Sequence, residues 1–574
     1  MQLTENEISK ARDSRAAIER LYIEMRHLFN RGWFRQNGPS GGVLADSLKT
    51  LSPEIYGSMT DPNKVELDGL VYVIDRLPKG IEECHFVKLV SEEGLNDSGF
   101  SVLIPAKRRR NCYRIDKDRM YIEVTRGRSE IYDILTHLTF LYLEADKIAR
   151  HARDDEGNFV SEWKELEAIV NGDTEVHHEN RDVALTYLST LLGRSFSETR
   201  FAYQRLESES KTNNGLFKIV YHLAHISMTE SEKGSQRTIS FSPTLRDRIG
   251  HHMYGERWAN QIKGYLESQH LLDRPLHIIS ANLHSVMNSL FGWPALSQRL
   301  PQEPNIEKIA LELSKAENQL LRNMVAEYAE LHGMFELDDP FGTNMGIQIF
   351  DTAKLDLTLL APELQADAHY LAEHKPVILV MDYAFGEQAY ETMDELIKPY
   401  FSNGNEVFLN VASINIMGKA GILEGEKGDI MVPTSHVFEG TADNYPIQND
   451  FTCDDFAGEA KFVCAGPMIT VLGTSLQNRD VLAYFKLSSW GAIGLEMEGA
   501  HYQKAIQAAT LIRQHINRHV TIRYAYYASD NPLVTGNTLA SGSLGLVGVK
   551  PTYLITRKIL QRILSGVKQT ASVR

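Results

Sequence analysis

The stretch that decides the fold is Ala492-Ile493-Gly494-Leu495-Glu496-Met497-Glu498-Gly499-Ala500. Its apolar beginning is typical of a buried strand, and the small residues at its end open the next helix. If the strand continues, alternation points Glu496 and Glu498 the same way and Met497 the opposite way. Because a carboxylate only accepts hydrogen bonds, two acids at a strand end suit sugar hydroxyls as donors. The alternative is an acid that favours the dipole of the following helix.

Apolar runs separated by helical segments lie on both sides of this stretch. They occupy residues 275–281, 377–381, 407–411, 429–432, 462–472 and 521–527. Continuous apolar strands alternating with helices predict an α/β sheet that is covered on both faces. Ligands of such sheets bind at the carboxyl ends of the strands, so the loops after these runs are the places to look for a site.

The first half of the chain has a different pattern. Apolar residues at helical spacing predict helices over 5–30 and 129–150, and further helices over 185–267. Short β-branched runs at 70–74, 85–90 and 100–104 predict a small sheet. We therefore expect a mainly helical α+β domain over 1–270 and an α/β domain over 274–566, with an insertion around 295–374.

Composition restricts the class of protein. The 574 residues are 43% hydrophobic and 24% charged, which excludes a largely disordered chain. The 60 Lys and Arg against 75 Asp and Glu give a net charge of −15, whereas proteins that coat nucleic acid or anionic membranes usually carry the opposite sign. Four cysteines without a CxxC pair form no disulfide framework. With neither a secretory signal nor about 20 consecutive apolar residues, a reducing, cytoplasmic location is expected.

Two further segments of the second half suggest chemistry. The segment 528–533, which contains Asp530, directly follows the apolar run 521–527, and burial there would raise the pKa of Asp530 so that it could donate a proton to a leaving group. The alternative is an Asx-turn before Pro532. In the segment 418–423, GKAGIL, two glycines around small residues predict a glycine loop in which the backbone approaches a ligand closely.

Together these segments resemble the nucleoside phosphorylase and nucleosidase superfamily. The resemblance rests on the order GKAGIL with GDIMV, then VLGTSL at 471–476, then LEMEGA and finally YASD, and it covers roughly 275–566. It implies a purine nucleoside phosphorylase-like fold, a mixed sheet flanked by helices. The SDNPL ending and the long N-terminal extension look more like the AMP nucleosidases.

The resemblance also implies roles for individual residues. Asp530 would protonate the purine at N7, with Ser529 positioning it, while Glu498 would hold ribose hydroxyls. The other implied substrate-binding residues are Met497, Glu496, Leu476, Ser475, Gly418, Lys419 and Asn282. No metal or organic cofactor is needed, and the fold is usually homo-oligomeric. The implied substrate is a purine nucleoside or nucleotide.

The chain departs from the family pattern in two places. Nucleosidases place a water-activating acid just after the first strand, but here Asn282-Leu283-His284-Ser285 follows it. His284 is the best candidate base because its ordinary pKa of about 6.5 suits proton abstraction, unless it only caps or packs against the helix. The phosphate cradle of phosphorylases would fall at Gly386-Glu387, where the acid would repel an anion. Hydrolysis is therefore favoured over phosphorolysis.

Basic residues leave alternatives open. Lys419 could neutralise a substrate phosphate or could be a solvated turn lysine. The run 107–110, Lys-Arg-Arg-Arg, with Arg126 and Arg128, is either a solvated edge or a site for an anionic effector or a substrate phosphate. Three functions follow: an AMP nucleosidase-like hydrolase, a purine nucleoside phosphorylase, or an inactive module that senses nucleosides or nucleotides.

Overall fold

The computed structural model describes residues 4–234, 236–299, 305–402, 404–441, 443–534 and 544–566. The chain forms two compact units. The N-terminal unit comprises Thr4–His251 and Ser475–Val481, and the C-terminal unit comprises His252–Thr474 and the chain from Leu482 onward. None of the described helices is both long enough and apolar enough to cross a membrane.

The N-terminal unit is mainly helical. Its helices are α1 (Glu5–Arg31), α2 (Pro39–Leu51), α3 (Leu67–Ile74), α4 (Gly127–His151), α5 (Ser161–Asn171), α6 (Arg181–Leu192), α7 (Phe196–Ser208), α8 (Leu216–Lys233) and α9 (Pro243–Gly250). Its strands are β1 (Trp33–Arg35), β2 (Phe86–Val90), β3 (Val102–Leu103), β4 (Cys112–Arg114), β5 (Arg119–Glu123) and β6 (Thr238–Phe241). Among the described residues these strands form one sheet in the order β1-β6-β2-β5-β4-β3.

The C-terminal unit is built on a larger sheet. Its helices are α10 (Met253–Ser268), α11 (Leu283–Leu296), α12 (Ile306–Leu313), α13 (Gln319–Leu331), α14 (Ala368–His374), α15 (Gln388–Leu396), α16 (Arg479–Leu487, whose first three residues belong to the N-terminal unit), α17 (Gly499–Gln507) and α18 (Val549–Leu564). Its strands are β7 (Leu276–Ser280), β8 (Met334–Leu337), β9 (Ile347–Asp351), β10 (Val377–Met381), β11 (Tyr400–Ser402), β12 (Asn405–Val407), β13 (Val411–Ile422), β14 (Ile430–Phe438), β15 (Asn444–Pro446), β16 (Val463–Thr470), β17 (Gly494–Glu496) and β18 (Thr521–Asp530).

The larger sheet is mixed and covered on both faces. Over the described residues its order is β15-β14-β16-β17-β13-β7-β10-β9-β8, with β18 paired to β13 and β14. Along β10, Ile378 and Val380 join one apolar core with α11, α12 and α18. Val377 and Leu379 join the core on the opposite face with α10, α15 and α17. The predicted class, a mixed sheet flanked by helices beside a mainly helical α+β part, is confirmed.

Three predicted elements differ from the structure. Residues 70–74 belong to helix α3 instead of a strand, because Glu66 caps the helix through Asp68 N–H and Gly69 N–H and nearly every side chain of it is buried. Burial all round removes the apolar periodicity that identifies a helix. The apolar run 407–411 is mostly loop, since β12 ends at Val407 and β13 begins at Val411. The GKAGIL segment is strand instead of loop, since all but its last residue lies in β13.

Buried acids of the N-terminal unit make its stability depend on pH. Glu82 is 3% exposed and accepts a hydrogen bond from Asn214 Nδ2 at 2.7 Å. Burial raises the pKa of Glu82 to about 7 from its ordinary value of 4.5. The folded state therefore holds this proton more tightly, and its contribution to stability is complete below pH 4.5 and lost as the pH rises through 7.

Substitution of Glu82 should flatten this dependence. We expect Glu82→Gln to reduce the fall in the free energy of unfolding between pH 5 and pH 9 by about 3 kcal/mol. Amide hydrogen exchange of α8, which begins two residues after Asn214, measures the effect at both pH values. Glu93→Gln, on an exposed side chain, is the matched control. An equally steep pH dependence in Glu82→Gln would contradict the assignment.

Candidate active site

Strand β13 brings the two predicted carboxylates to the same part of the sheet. Gly421 in β13 pairs with Leu495 of β17 on one edge and with Asp530 of β18 on the other edge. Neighbouring strands lie about 4.8 Å apart, so the backbones of Leu495 and Asp530 are about 10 Å apart. Glu498 follows Leu495 by three residues. The resemblance pairs Asp530 with Glu498, and the sheet register places Asp530 and the strand that leads to Glu498 on either side of β13.

Glu496 is engaged by the protein itself. It is 4% exposed, and its carboxylate accepts hydrogen bonds from Thr470 Oγ1 and from the backbone N–H groups of Glu498 and Gly499. His436 Nδ1 lies 3.3 Å from its Oε1. Burial acts to raise the pKa of Glu496, but His436 and these donors outweigh it and hold the pKa below the ordinary value. Glu496 thus stabilises the β17–α17 turn, and both of its oxygens are occupied.

The expected alternation of the two glutamates does not occur. Strand β17 ends at Glu496, and Glu498 has φ −121° and ψ −22° as the residue that caps helix α17. The backbone therefore turns between the two acids, with the half-buried Met497 at the bend. Glu496 faces the buried Thr470 and His436, whereas Glu498 faces the loop after β10.

Gly499 has to be glycine because of His436. A Cβ atom at position 499 would lie 2.2 Å from Cε1 and 2.3 Å from Nδ1 of His436. His436 is completely buried in β14, so its ring has no free space into which to move. The glycine of the LEMEGA segment thus allows helix α17 to start directly against this histidine.

Glu498 holds its proton unusually tightly. It is half-buried, and Gly386 N–H, in the turn before α15, donates to its Oε1 at 2.9 Å. Loss of hydration, together with the negative charge of Glu496, raises the pKa of Glu498 to about 8. The Gly386 N–H and the positive charge of Lys419 offset only part of this rise. Glu498 therefore exchanges a proton near neutral pH.

Asp530 is a buried carboxyl group, and only one of its two oxygens has a hydrogen-bond partner among the described residues. It ends β18 and is 1% exposed. Its Oδ1 accepts a hydrogen bond from Ser529 Oγ, while its Oδ2 is buried and has no hydrogen-bond partner among the described residues. Burial raises the pKa of Asp530, against the lowering effects of Ser529, Lys427 and Lys419. Burial thus favours the protonated, hydrogen-bond-donating form.

Lys419 is electrostatically linked to both carboxylates. Its side chain is exposed on β13, and its positive charge lowers the pKa of Glu498 as well as that of Asp530. One alternative for Lys419 is a solvated lysine in a turn. Lys419 is exposed, but it lies in strand β13, so the turn in that alternative is wrong. Gly418 beside it is opposite Tyr526, and a Cβ there would make only ordinary contacts, 3.6 Å from Tyr383 and 3.8 Å from Tyr526.

Asn282 lies in the loop after β7, and His284 lies in the first turn of helix α11. Asn282 caps helix α11, since its Oδ1 accepts from the backbone N–H of His284 at 2.9 Å. The His284 side chain is exposed. The Tyr383 hydroxyl contacts the Asn282 backbone and the Tyr527 hydroxyl. The role of His284 as a base stays a prediction.

The remaining predicted residues lie in the N-terminal unit. Ser475 and Leu476 are buried there, and their contact with a purine base stays a prediction. In the basic run, Arg108 and Arg110 are not a solvated edge: both bind Asp133. An anionic effector near this run also stays a prediction. Groups of three or more His, Cys, Asp or Glu that could hold a metal ion are absent from the described part of the chain.

Two residues of the site, and the contact of a third, were not predicted from the sequence. Gly386 was considered only as the position of a phosphate cradle, and its bond to Glu498 joins residues 112 positions apart. His436 lies within an apolar strand whose neighbours give no sign of its contact with Glu496. Tyr526 has a buried hydroxyl without a hydrogen-bond partner among the described residues, yet in the sequence it is one of several strand tyrosines.

The fold and the site define an α/β protein in which two carboxyl groups with raised pKa values lie on either side of the end of one strand of a mixed sheet. The chain belongs to DUF6909, a family of unknown function, which it matches over residues 43–300 and 310–565. No curated protein matches the chain.

Several solved structures are similar to about half of the chain. The Campylobacter jejuni 5′-methylthioadenosine/S-adenosyl homocysteine nucleosidase is 12% identical, with a TM-score of 0.29, over 50% of this chain and 98% of that one. A futalosine hydrolase mutant of Helicobacter pylori is 12% identical, with a TM-score of 0.30, over 51% and 100%. The purine nucleoside phosphorylase of Toxoplasma gondii in complex with immucillin-H is 14% identical, with a TM-score of 0.28, over 51% and 92%.

Proposed function

We propose that the C-terminal unit hydrolyses the N-glycosidic bond of a purine nucleoside or nucleotide, with AMP as the specific candidate. The observation that carries this proposal is Asp530: a buried carboxyl with a raised pKa and an unpartnered oxygen, across β13 from a second carboxyl. Released products would be the free base and ribose or ribose 5-phosphate. The N-terminal unit would regulate, oligomerise or close over the substrate, in a homo-oligomer.

The chemistry requires the groups that the site contains. Breaking the bond from ribose to a purine builds positive charge on the sugar and negative charge on the leaving base. A proton donor at the base and a carboxylate at the sugar therefore bind the transition state more strongly than the substrate. Asp530 would give its proton to N7 of the base, and Glu498 would face the sugar.

The environment of Gly386 supports hydrolysis over phosphorolysis. The N–H that would hold a phosphate oxygen in a cradle already donates to Glu498 Oε1. Glu387 follows directly, so an incoming phosphate would meet an acidic side chain next to an N–H group that is already in use. Water carries no charge and meets no such repulsion.

The test is release of free purine base. The full chain is incubated with AMP, adenosine, inosine and methylthioadenosine, each with and without inorganic phosphate. Release that does not need phosphate supports the hydrolase, and release only with phosphate supports the phosphorylase. Binding of these compounds without any release would favour a sensing module, a candidate that the lack of an acid between Ala281 and Ser285 keeps open.

Lys419 should distinguish a nucleotide from a nucleoside substrate. If its ammonium group binds a 5′-phosphate, Lys419→Gln should lower kcat/KM for AMP about 10–100-fold, the usual range for a lost charged hydrogen bond. The value for adenosine should change much less. Lys427→Gln is the matched control, because Lys427 is also exposed and acts on Asp530. An unchanged ratio of AMP to adenosine would remove this reason for a phosphorylated substrate.

A further inference from the structure

Hydrolysis needs a group that takes a proton from the attacking water. The loop after β7, where related nucleosidases carry an acid, has none between Ala281 and Ser285. Asn282 uses its side-chain oxygen to cap helix α11, and the His284 side chain is exposed. The proton acceptor therefore has to be sought elsewhere in the C-terminal unit.

Three acids, one each in β17, the turn after it and β18, are in different states. Glu496 has both oxygens occupied by Thr470 and by two backbone N–H groups, so it cannot receive a proton without losing these bonds. Asp530 is the proposed proton donor and is almost completely buried. Glu498 is partly exposed to solvent, so water can reach it.

We propose that Glu498 is the catalytic base that activates water. This proposal rests on the proposed hydrolase function. Water attacks C1′ of the sugar and gives one proton to the Glu498 carboxylate. The bond from C1′ to the purine breaks, its electron pair goes to the base, and the proton of Asp530 goes to N7. Both carboxyl groups return to their starting states by exchanging one proton with solvent.

The groups around Glu498 suit this role. Gly386 N–H, in the turn before α15, holds Oε1 in place at 2.9 Å. Glu496 from β17 acts against ionisation of Glu498, and Lys419 from β13 acts in favour of it. Tyr502 from α17 and Tyr526 from β18 also lie within electrostatic range. With its pKa at about 8, Glu498 is partly ionised at neutral pH and still basic enough to take a proton.

The acid and the base approach the end of β13 from opposite edges. Asp530 is in register with Gly421 on one edge, and Glu498 follows by three residues Leu495, which is in register with Gly421 on the other edge. A sugar lying across the end of β13 would have its base near Asp530 and a water near Glu498.

The test combines substitution with chemical rescue. We expect Glu498→Ala to lower kcat for base release about 10²–10⁴-fold, and azide or formate to restore activity on the order of tenfold. Azide is already a nucleophile and needs no base, so its product is a ribosyl azide. Glu498→Gln should lower kcat with little change in KM. Glu317→Gln, on an exposed side chain, is the control for the same chemical change.

Other results would overturn the inference. If Glu498 only holds sugar hydroxyls, its variants raise KM and azide restores nothing. If His284 is the base, His284→Ala loses turnover and is rescued by azide, whereas Glu498→Ala is not rescued. Both of these outcomes leave the hydrolase function standing, because the wild-type protein still releases base. Absence of base release from the wild-type protein overturns the proposed function, and this inference with it.

Discussion

Asp530→Asn should release free purine base about 10²–10⁴ times more slowly than the wild-type protein, the range expected for loss of a general acid. The amide has nearly the same shape as the carboxyl group and can still accept the Ser529 hydrogen bond. It cannot give a proton to the leaving base. The loss should therefore fall on kcat, while binding of the nucleoside stays close to that of the wild-type protein.

Two measurements check this prediction. Steady-state release of base gives kcat, and calorimetry gives the affinity for the same nucleoside or nucleotide. Asp273→Asn makes the same chemical change on an exposed residue before β7 and is the matched control. An unchanged kcat in Asp530→Asn would show that another group protonates the base.

Gly499→Ala should damage both stability and turnover. The added methyl group would lie 2.2 Å from Cε1 of the fully buried His436, so either the ring or the start of α17 has to move. Overpacking of this kind usually lowers the free energy of unfolding by about 1–3 kcal/mol. Movement of α17 also displaces Glu498, and a shift of about 1 Å in a reacting group can reduce turnover about 10²-fold.

A second substitution separates this effect from a general loss of packing. His436→Ala removes the ring that the methyl group meets, so the double variant should be less destabilised than the sum of the two single variants. Urea unfolding measures all three proteins. Gly264→Ala is the control, because a Cβ there meets only the Tyr400 hydroxyl at 3.7 Å. Additive losses in the double variant would contradict the proposed contact.

Local patterns of sequence predicted much of the C-terminal unit. Continuous apolar runs identified β7, β10, β16 and β18, because strands buried on both faces carry apolar residues at every position. The same reasoning failed for α3. Nearly all of its residues are buried, so its sequence is a continuous apolar run like that of a buried strand. A high content of apolar residues indicates that a segment is buried. Whether the segment is a helix or a strand can be inferred only from the spacing of its apolar residues.

The parts of the candidate site that could be predicted from the sequence are those in which the functional residue and its structural context lie in one short segment. Asp530 lies at the end of a strand that an apolar run identifies, so its burial and raised pKa could be expected from sequence alone. The environment of Glu498 could not, because Gly386 is 112 residues away and its contact depends on the turn after β10. The different states of Glu496 and Glu498 depend in the same way on His436 and Thr470, which reach the turn from β14 and β16.

The pairing of β13 on both edges has a mechanical consequence. Leu495 and Asp530 are both in register with Gly421, so one strand holds both sides of the site through backbone hydrogen bonds. The sheet thus fixes the backbone at Asp530 and at the start of the turn that leads to Glu498, whereas the Glu498 carboxyl group also depends on Gly386 in the turn after β10. A change in the length of that turn would therefore alter the gap between the two carboxyl groups even if the sheet stayed the same.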